Sequence, residues 1–381
     1  MSNKGRLVAG ASLLANFILL FLLLSGTFSQ SQSTSNQANQ PIAQANNVNN
    51  TTSSPVPAQP TATPTSLPTE TISTEDTATP TATVPPEPTE TPTPAATPTP
   101  EATPTPEVPP TPTIAPGPPW LRYVNLFRAQ ANLPQLTENP EWSEGDRLHS
   151  VYMVNTDQLW HSEDPNSPYY TKAGDDAAHN GNIAASNYFG ESDFEWAIDY
   201  WISAPFHGAP ILDPELTTVG FGTFRAQVGT FSVAATMDVK RGIDPAVEVE
   251  YPVMFPKDGG ETWVLAYKLF EFPNAIPSCP GFARPTSAPV YLYLGNGDLT
   301  PAVSQAVILE NGAPMETCFF DETSYYNPDS KQQETGRLIL DQRDVVVIMA
   351  KRPFQVGSTY TVQVSANGMD LEWRFKAVNP P

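Results

Sequence analysis

A tract in which threonine and proline alternate, from Pro55 to Pro119, limits how much of this chain can fold. The 43 prolines of the 381-residue chain concentrate there, and apolar residues are scarce. Such a segment cannot bury enough apolar surface to offset the entropy that is lost on ordering. Together with the Gln/Asn/Ser/Thr-rich stretch before it, the tract predicts a disordered linker over residues 31–118, extended like polyproline at ~3.1 Å per residue. We therefore expect folded structure to begin near Trp120.

The amino terminus has the features of an export signal. Lys4 and Arg6 precede an apolar run from Leu7 to Phe28. The run is long for a secretory signal and close to the ~20 residues that a membrane helix needs. Residues 1–30 are therefore either a cleaved signal peptide or an uncleaved transmembrane anchor. Both alternatives leave the rest of the chain outside the cytoplasm, secreted or anchored to the membrane at the cell surface.

The charge balance excludes nucleic acid as a partner. Lys and Arg number 19 against 40 Asp and Glu, which gives a formal net charge of -21. No basic residue occurs between Arg6 and Arg122. Binding to a polyanion by counterion release needs a basic patch, and this chain has none. Other anionic polymers are poor partner candidates for the same reason.

The chain has two cysteines, Cys279 and Cys318. In an exported chain we expect them to form a disulfide, with free thiols as the alternative. Closing a loop of roughly 40 residues would stabilise the fold by about 4 kcal/mol in the chain-entropy model.

Two folded modules are expected after the linker. Over residues 119–241, apolar residues at helical spacing precede short strands rich in β-branched and aromatic residues, which indicates a sheet covered by helices. Asn139 and Pro140 are typical of a helix start. Over residues 244–381 apolar and polar residues alternate about turns such as Asn367-Gly368, which predicts an all-β, immunoglobulin-like sandwich. The predicted fold class is α+β.

All four histidines lie in the first module. His149 shares a helix face with Trp142 and is predicted to be a satisfied core residue. His161 opens a polar loop, and His179 is predicted to be a solvated residue of the same loop. His207 ends a third helix that begins at Ser192.

Glu195, near the start of that third helix, has two interpretations that do not exclude each other. Ser192 and Glu195 fit a capping box, in which the glutamate reaches back to the backbone of Ser192. Glu195 also borders the apolar stripe of the helix and could face a cleft together with His207.

The stretch from Trp120 to about Val239 resembles the CAP superfamily (SCP or PR-1-like domains) in its bacterial exported form. The matching pieces are "VNLFRAQANLPQL", "NPEWSEGDRLHSVYM", "HSEDP", "NIA" and "YWISAPFHGAPILDPELTTVGFG". The resemblance implies an α-β-α sandwich with a cleft lined by two histidines and two acids. By position these are His161, His207 and Glu195. The fourth position departs from the family, because "NGNI" places Gly181 where the motif has glutamate.

Six residues are therefore candidates for the cleft: His161, Glu195, His207, Glu163, Asp164 and Asn182. His161, His207 and Glu195 could hold a divalent cation such as zinc, and Glu163 or Asp164 could supply the missing oxygen ligand. No HExxH helix, GxSxG elbow or cysteine nucleophile occurs in the module, which weighs against an enzyme.

Three functions stay open. The first is a non-catalytic binding module for a lipid, a sterol-like molecule, a cell-wall polymer or an extracellular protein, attached to the membrane if the amino-terminal segment is not cleaved. The second is a metal-dependent extracellular hydrolase that uses His161, His207 and Glu195. The third is an adhesion or spacer protein.

Overall fold

The computed structural model describes residues 114–187 and 192–380, all within one compact unit, Pro100–Pro381. The predicted signal or anchor (residues 1–30) and most of the predicted linker (residues 31–118) lie outside the described residues. Among the helices of the described ranges, none has the length and apolarity to cross a bilayer.

The first part of the fold is a four-stranded sheet between two layers of helices. The strand order is β1-β3-β4-β2, with β1 parallel to β3 and the other pairs antiparallel. The helices are α1 (Pro119–Ala129), α2 (Pro140–Thr156), α3 (Lys172–Asn180), α4 (Glu195–Ser203) and α5 (Pro205–Ile211); the strands are β1 (Thr137–Glu138), β2 (Gly181–Ser186), β3 (Thr218–Arg225) and β4 (Val233–Asp238).

The two faces of this sheet bury separate apolar clusters. Met153 of α2 packs with Ile183 and Ala234 on one face. Trp201 of α4 and Phe221 belong to the main core on the other face. The predicted α-β-α sandwich is confirmed, since helices cover both faces of the sheet. Each face needs such a cover to remove its apolar side chains from water.

Two glycines of β3 allow α2 to lie close to the sheet. A Cβ at Gly222 would come within 2.1 Å of the Arg147 backbone nitrogen, and a Cβ at Gly220 within 2.7 Å of the Ser143 nitrogen. The helix begins as predicted at Asn139, whose side chain accepts hydrogen bonds from the amides of Glu141 and Trp142. Local capping and close approach thus fix the helix that carries His149.

A buried guanidinium holds α1 against the chain that follows α5. Arg128 donates hydrogen bonds to the backbone oxygens of Pro134, Ile211, Asp213 and Leu216, at 2.9 to 3.0 Å. Four carbonyl acceptors offset the cost of burying the charge. Because two of these acceptors flank the end of α5, Arg128 also helps to fix the helix that carries His207.

The carboxy-terminal region is rich in strands. One sheet has the order β11-β10-β14-β15-β6, a second has β12-β13-β9-β5, and β7 pairs with β8. The strands are β5 (Val253–Phe255), β6 (Gly260–Thr262), β7 (Ala266–Tyr267), β8 (Thr286–Ser287), β9 (Val290–Tyr293), β10 (Val303–Glu310), β11 (Ala313–Pro314), β12 (Thr317–Phe320), β13 (Val345–Ala350), β14 (Thr359–Ala366) and β15 (Met369–Ala377).

The turn at Asn367-Gly368 joins β14 and β15 as predicted. Both turn residues have positive φ, 50° and 77°, which suits a two-residue hairpin turn. Tyr360, Val362 and Val364 of β14 are buried on one face, as the alternation predicts.

The structure corrects three sequence predictions. The predicted third helix from Ser192 to His207 is two helices, since α4 begins at Glu195 and His207 lies in the separate helix α5. The carboxy-terminal region is not purely β, since it contains a short 3-10 helix (Ile276–Ser278) and α6 (Ser330–Asp341), whose first turn is capped by Asp329. The polar loop that follows His161 contains α3, which begins after Thr171, a cap for the Gly174 amide. His179 is therefore a helical, half-buried residue and not a solvated loop residue.

The predicted disulfide is confirmed. Cys279 and Cys318 are bonded, with their Cα atoms 5.5 Å apart and a sequence separation of 39 residues. The bond joins the chain after the 3-10 helix to β12, so it closes a loop that includes β8 to β11.

We expect the double variant Cys279→Ala/Cys318→Ala to lose about 4 kcal/mol of unfolding free energy, because its unfolded chain is no longer restricted by the loop. Chemical denaturation of the two proteins measures the difference. Reductant should lower the stability of the wild type and leave the variant unchanged. A loss below about 1 kcal/mol would contradict this assignment.

A second prediction concerns Asp199 of α4, which accepts a 2.7 Å hydrogen bond from the Tyr123 hydroxyl of α1. Burial raises the pKa of Asp199 to about 6. The folded chain therefore binds this proton more tightly than the unfolded chain does. The stability that the group contributes is complete below pH ~4 and is lost as the pH rises to about 6.

Asp199→Asn should remove this loss, since the amide oxygen can still accept from Tyr123. Between pH 4 and pH 7 the variant should gain on the order of 2 kcal/mol relative to the wild type. Denaturation at several pH values measures the gain. Asp370→Asn, at an exposed position of β15, is the control and should follow the wild-type profile.

Candidate functional site

We call His161 and His207, the two cleft histidines that the resemblance to the CAP superfamily implies, the histidine pair. His161 is in the segment between α2 and α3, and His207 is in α5. Asn182 of β2 donates a 2.8 Å hydrogen bond to the backbone oxygen of His207 and so ties α5 to the sheet. Asn182 thus contacts His207, and His161 contacts Ala178, four residues before Asn182 in the chain.

The imidazole of His161 is held through one nitrogen. Its Nδ1 lies 2.9 Å from the backbone oxygen of Ala178, which can only accept, so Nδ1 carries the proton. Desolvation by the surrounding protein lowers the pKa of His161, and the charge of Lys240 acts in the same direction. The residue is nevertheless solvent exposed, so water in contact with it limits the shift. A neutral His161 presents Nε2 as a hydrogen-bond acceptor.

The partner of His207 comes from the carboxy-terminal region. Its Nδ1 lies 3.0 Å from Oε2 of Glu271, and the backbone amide of Phe206 donates to the same oxygen at 3.0 Å. Glu271 is fully buried, and burial raises the pKa of its carboxyl group. His207 keeps only a small exposed fraction, 8%.

Sequence reasoning missed Glu271, because it lies 64 residues after His207 and outside the stretch that resembles the CAP superfamily. One local signal was present. Glu271 is the acid of the sequence "LFEFP", where apolar residues flank it on both sides. A carboxylate in such a run either faces solvent or needs a buried partner.

His149 and Glu163 form a separate buried pair. Nδ1 of His149 lies 3.0 Å from Oε1 of Glu163, and Nε2 lies 3.0 Å from the Trp160 backbone oxygen. The other oxygen of Glu163 accepts from the Thr171 amide at 2.8 Å. The prediction that His149 is a satisfied core residue is confirmed, and Glu163 is engaged with it and with Thr171.

The other two predicted acids also have local partners. Asp164 is exposed and accepts from the backbone and side chain of Asn166 in a turn. Glu195 is exposed at the start of α4, and its amide donates to Ser192 Oγ at 2.9 Å, which is one half of the expected capping box. Its charge raises the pKa of Asp199. Glu271, and not Glu195, is the acid that contacts His207.

The positions of the predicted site residues show whether they could bind a divalent cation together. Within residues 114–187 and 192–380, no group of three or more His, Cys, Asp or Glu side chains is arranged to hold a metal ion. Within the part of the chain that the structure describes, the histidine pair has no third protein ligand of the kind that an open zinc site uses. This donor set does not fit a three-ligand zinc centre, and zinc binding stays a prediction for titration.

Gly181, at the position of the missing family glutamate, is enclosed by backbone. A Cβ there would lie 2.9 Å from the backbone oxygens of Ala177 and Met237 and 3.0 Å from Thr236 Cγ2. Real Cβ atoms rarely come so close to carbonyl oxygens, so a side chain requires β2 to shift. The packing of β2 therefore disfavours a carboxylate at this position.

We expect Gly181→Glu to lower the free energy of unfolding by about 2 to 3 kcal/mol, because the substitution overpacks the strand and buries a charged group. Urea denaturation measures the change. Ser186→Glu, at the half-buried end of the same strand, is the control and should cost less than about 1 kcal/mol. Equal stability of Gly181→Glu and the wild type would show that β2 accommodates a carboxylate.

Comparisons with known proteins found similarity to a protein family and to a solved structure. The family model for CAP, the cysteine-rich secretory protein family, matches residues 121–238. An extracellular protein containing a SCP domain from Bacillus anthracis str. Ames has a solved structure that matches at 21% sequence identity and a TM-score of 0.25. That match covers 32% of this chain and 39% of the Bacillus chain, so this chain spans well under half of it. A search of curated proteins finds no match.

The matched segment contains the sheet, the histidine pair and Asn182, whereas Glu271 and both cysteines lie beyond it. Residues 121–238 of this chain form a CAP domain.

Proposed function

We propose that this protein is an extracytoplasmic binding protein whose CAP domain holds a ligand at the histidine pair without covalent chemistry. The observation that carries the proposal is the hydrogen bonding of the two imidazoles. Each Nδ1 has a protein partner, Ala178 O or Glu271 Oε2. Among the described residues neither Nε2 has a hydrogen-bond partner, so both remain open to a ligand.

The ligand that fits this pair donates hydrogen bonds. A neutral imidazole with a proton on Nδ1 accepts at Nε2, so each of the two histidines suits a hydroxyl or amide N–H donor. Hydroxyl groups and acylated amines are abundant in cell-wall glycans. We therefore favour a soluble or surface-bound glycan over a lipid, whose acyl chains donate nothing.

An extracytoplasmic location is supported by two features. The disulfide Cys279–Cys318 is of a kind that persists in oxidising compartments. The basic residues Lys4 and Arg6, followed by an apolar run, are typical of an export signal.

The chemistry of the side chains at the pair favours binding over hydrolysis. Both cysteines of the chain are in the disulfide, so no thiol is left as a nucleophile. Glu271 is buried, and its Oε2 accepts from His207 and Phe206, so it is not placed to exchange protons with a substrate in solvent. A metal-dependent hydrolase stays the second hypothesis, and the same variants test it.

The test compares the full chain with the double variant His161→Ala/His207→Ala and with His179→Ala, a histidine of α3 outside the pair. Binding of soluble peptidoglycan fragments and of phosphatidylglycerol vesicles is measured by calorimetry and by co-sedimentation. We expect the glycan fragments to bind the wild type and His179→Ala equally. The double variant should bind at least tenfold more weakly, a loss of about 1.4 kcal/mol.

Other results are equally informative. Equal binding by all three proteins, or none by the wild type, would rule out the pair as a glycan site. Vesicle binding that depends on the pair would instead assign a lipid. Zinc titration of the same proteins tests the hydrolase hypothesis, which requires tight stoichiometric zinc that is lost in the double variant.

A further inference from the structure

We propose that Glu271, a residue outside the CAP domain, is the positioning residue of the histidine pair, holding His207 with its proton on Nδ1 and with Nε2 free for a ligand. The effect of Glu271 on ligand binding rests on the proposed function. The hydrogen bond between Glu271 and His207 and the tautomer of His207 do not depend on it, because they are properties of the protein without a ligand.

The first support is the geometry at Oε2 of Glu271. The Phe206 amide can only donate, so this oxygen acts as an acceptor towards α5. His207 Nδ1 lies at the same 3.0 Å distance from the same oxygen. When Glu271 is ionised, an Nδ1 without a proton would place its lone pair against a carboxylate lone pair. A proton on Nδ1 turns that contact into a charge-assisted hydrogen bond.

The second support is how firmly Glu271 is placed. The neighbouring backbone oxygen of Phe270 accepts a 2.8 Å hydrogen bond from the hydroxyl of Tyr200, whose ring centroid lies 5.8 Å from that of His207. The Arg284 guanidinium lies 5.4 Å from the centre of the Phe270 ring. These contacts come from α4 and from the carboxy-terminal region, so they fix the backbone and the ring of the residue next to Glu271.

The third support is the enclosure of α5 by the same region. The Tyr291 hydroxyl donates to the Pro205 oxygen at 3.2 Å, and the Tyr293 hydroxyl donates to the Ala209 oxygen at 2.9 Å. Strand β9 therefore fixes the backbone on both sides of His207, while Glu271 fixes its ring. The carboxy-terminal region thus completes the CAP domain's site, which Gly181 leaves without its family carboxylate.

A purely structural role for Glu271, in which it only joins two parts of the fold, makes a different prediction for the imidazole. A structural contact needs no particular tautomer at His207. A positioning residue does, because the hydrogen bond at one ring nitrogen sets the protonation of the other. The tautomer of His207 therefore separates the two roles.

The experiment is a long-range 1H–15N spectrum of the full chain labelled on histidine. The chain has four histidines, so four ring patterns are expected, and His207→Ala assigns the relevant one. In the wild type we expect His207 Nδ1 to be protonated and Nε2 to be unprotonated. In Glu271→Ala this pattern should give way to a mixture of tautomers or to the Nε2–H form.

Two further variants control the result. Glu271→Gln keeps the size of the side chain and an acceptor oxygen, so it should retain the Nδ1–H form. Glu195→Gln, at the exposed acid of α4, should leave the His207 pattern unchanged. If Glu271→Ala does not fold, the tautomer of His207 in the spectra of the wild type and of Glu271→Gln still tests the proposal. An Nε2–H form in the wild type, or an unchanged pattern in folded Glu271→Ala, would overturn the proposal.

A binding measurement extends the test. With the peptidoglycan fragments as probe, Glu271→Ala should bind about tenfold more weakly than Glu271→Gln, which is about 1.4 kcal/mol. If no fragment binds the wild type, the proposed function fails. The assignment of Glu271 is then judged by the tautomer of His207 alone.

Discussion

The hydrogen bond between His207 and Glu271 is the contact on which the arrangement of this site depends. A carboxyl group buried as fully as Glu271 is costly to charge unless hydrogen-bond donors surround it. Two donors, His207 Nδ1 and the Phe206 amide, come from one short helix of the CAP domain. Because both must reach the same oxygen, α5 has little freedom to move relative to the chain around Glu271. The energetic need of one buried group thereby fixes the orientation of an imidazole.

The sequence predicted those features whose cause is local. The cap at Asn139 and the hairpin at Asn367-Gly368 follow from short-range backbone and side-chain preferences, and the structure confirms them. The α-β-α order was implied by the resemblance to the CAP superfamily, and it is confirmed as well. Glu271 could not be predicted, since its partner is distant in sequence and no motif links them. Helix α3 was missed because its buried face consists of Gly174, Ala177 and Ala178, residues too small to stand out as an apolar stripe in the sequence.

The departure at Gly181 takes on a physical meaning in the fold. There is no empty space beside Gly181 for a side chain, since the backbone oxygens of Ala177 and Met237 lie where a Cβ would point. Helix α3 and strand β4 therefore pack closer to β2 than a larger residue permits. A site built on this frame has to take its carboxylate from elsewhere. Here the carboxylate contacting the pair comes from the carboxy-terminal region, through Glu271.

Two buried His–Glu contacts of the same length show why one histidine supports the fold and the other can serve a ligand. His149 and His207 each place Nδ1 3.0 Å from a glutamate oxygen. Nε2 of His149 is also used, by the Trp160 carbonyl, so that ring has no capacity left. Among the described residues, Nε2 of His207 has no such partner, and His161 is in the same condition. The free nitrogen, more than the buried glutamate, distinguishes a binding histidine from a structural one.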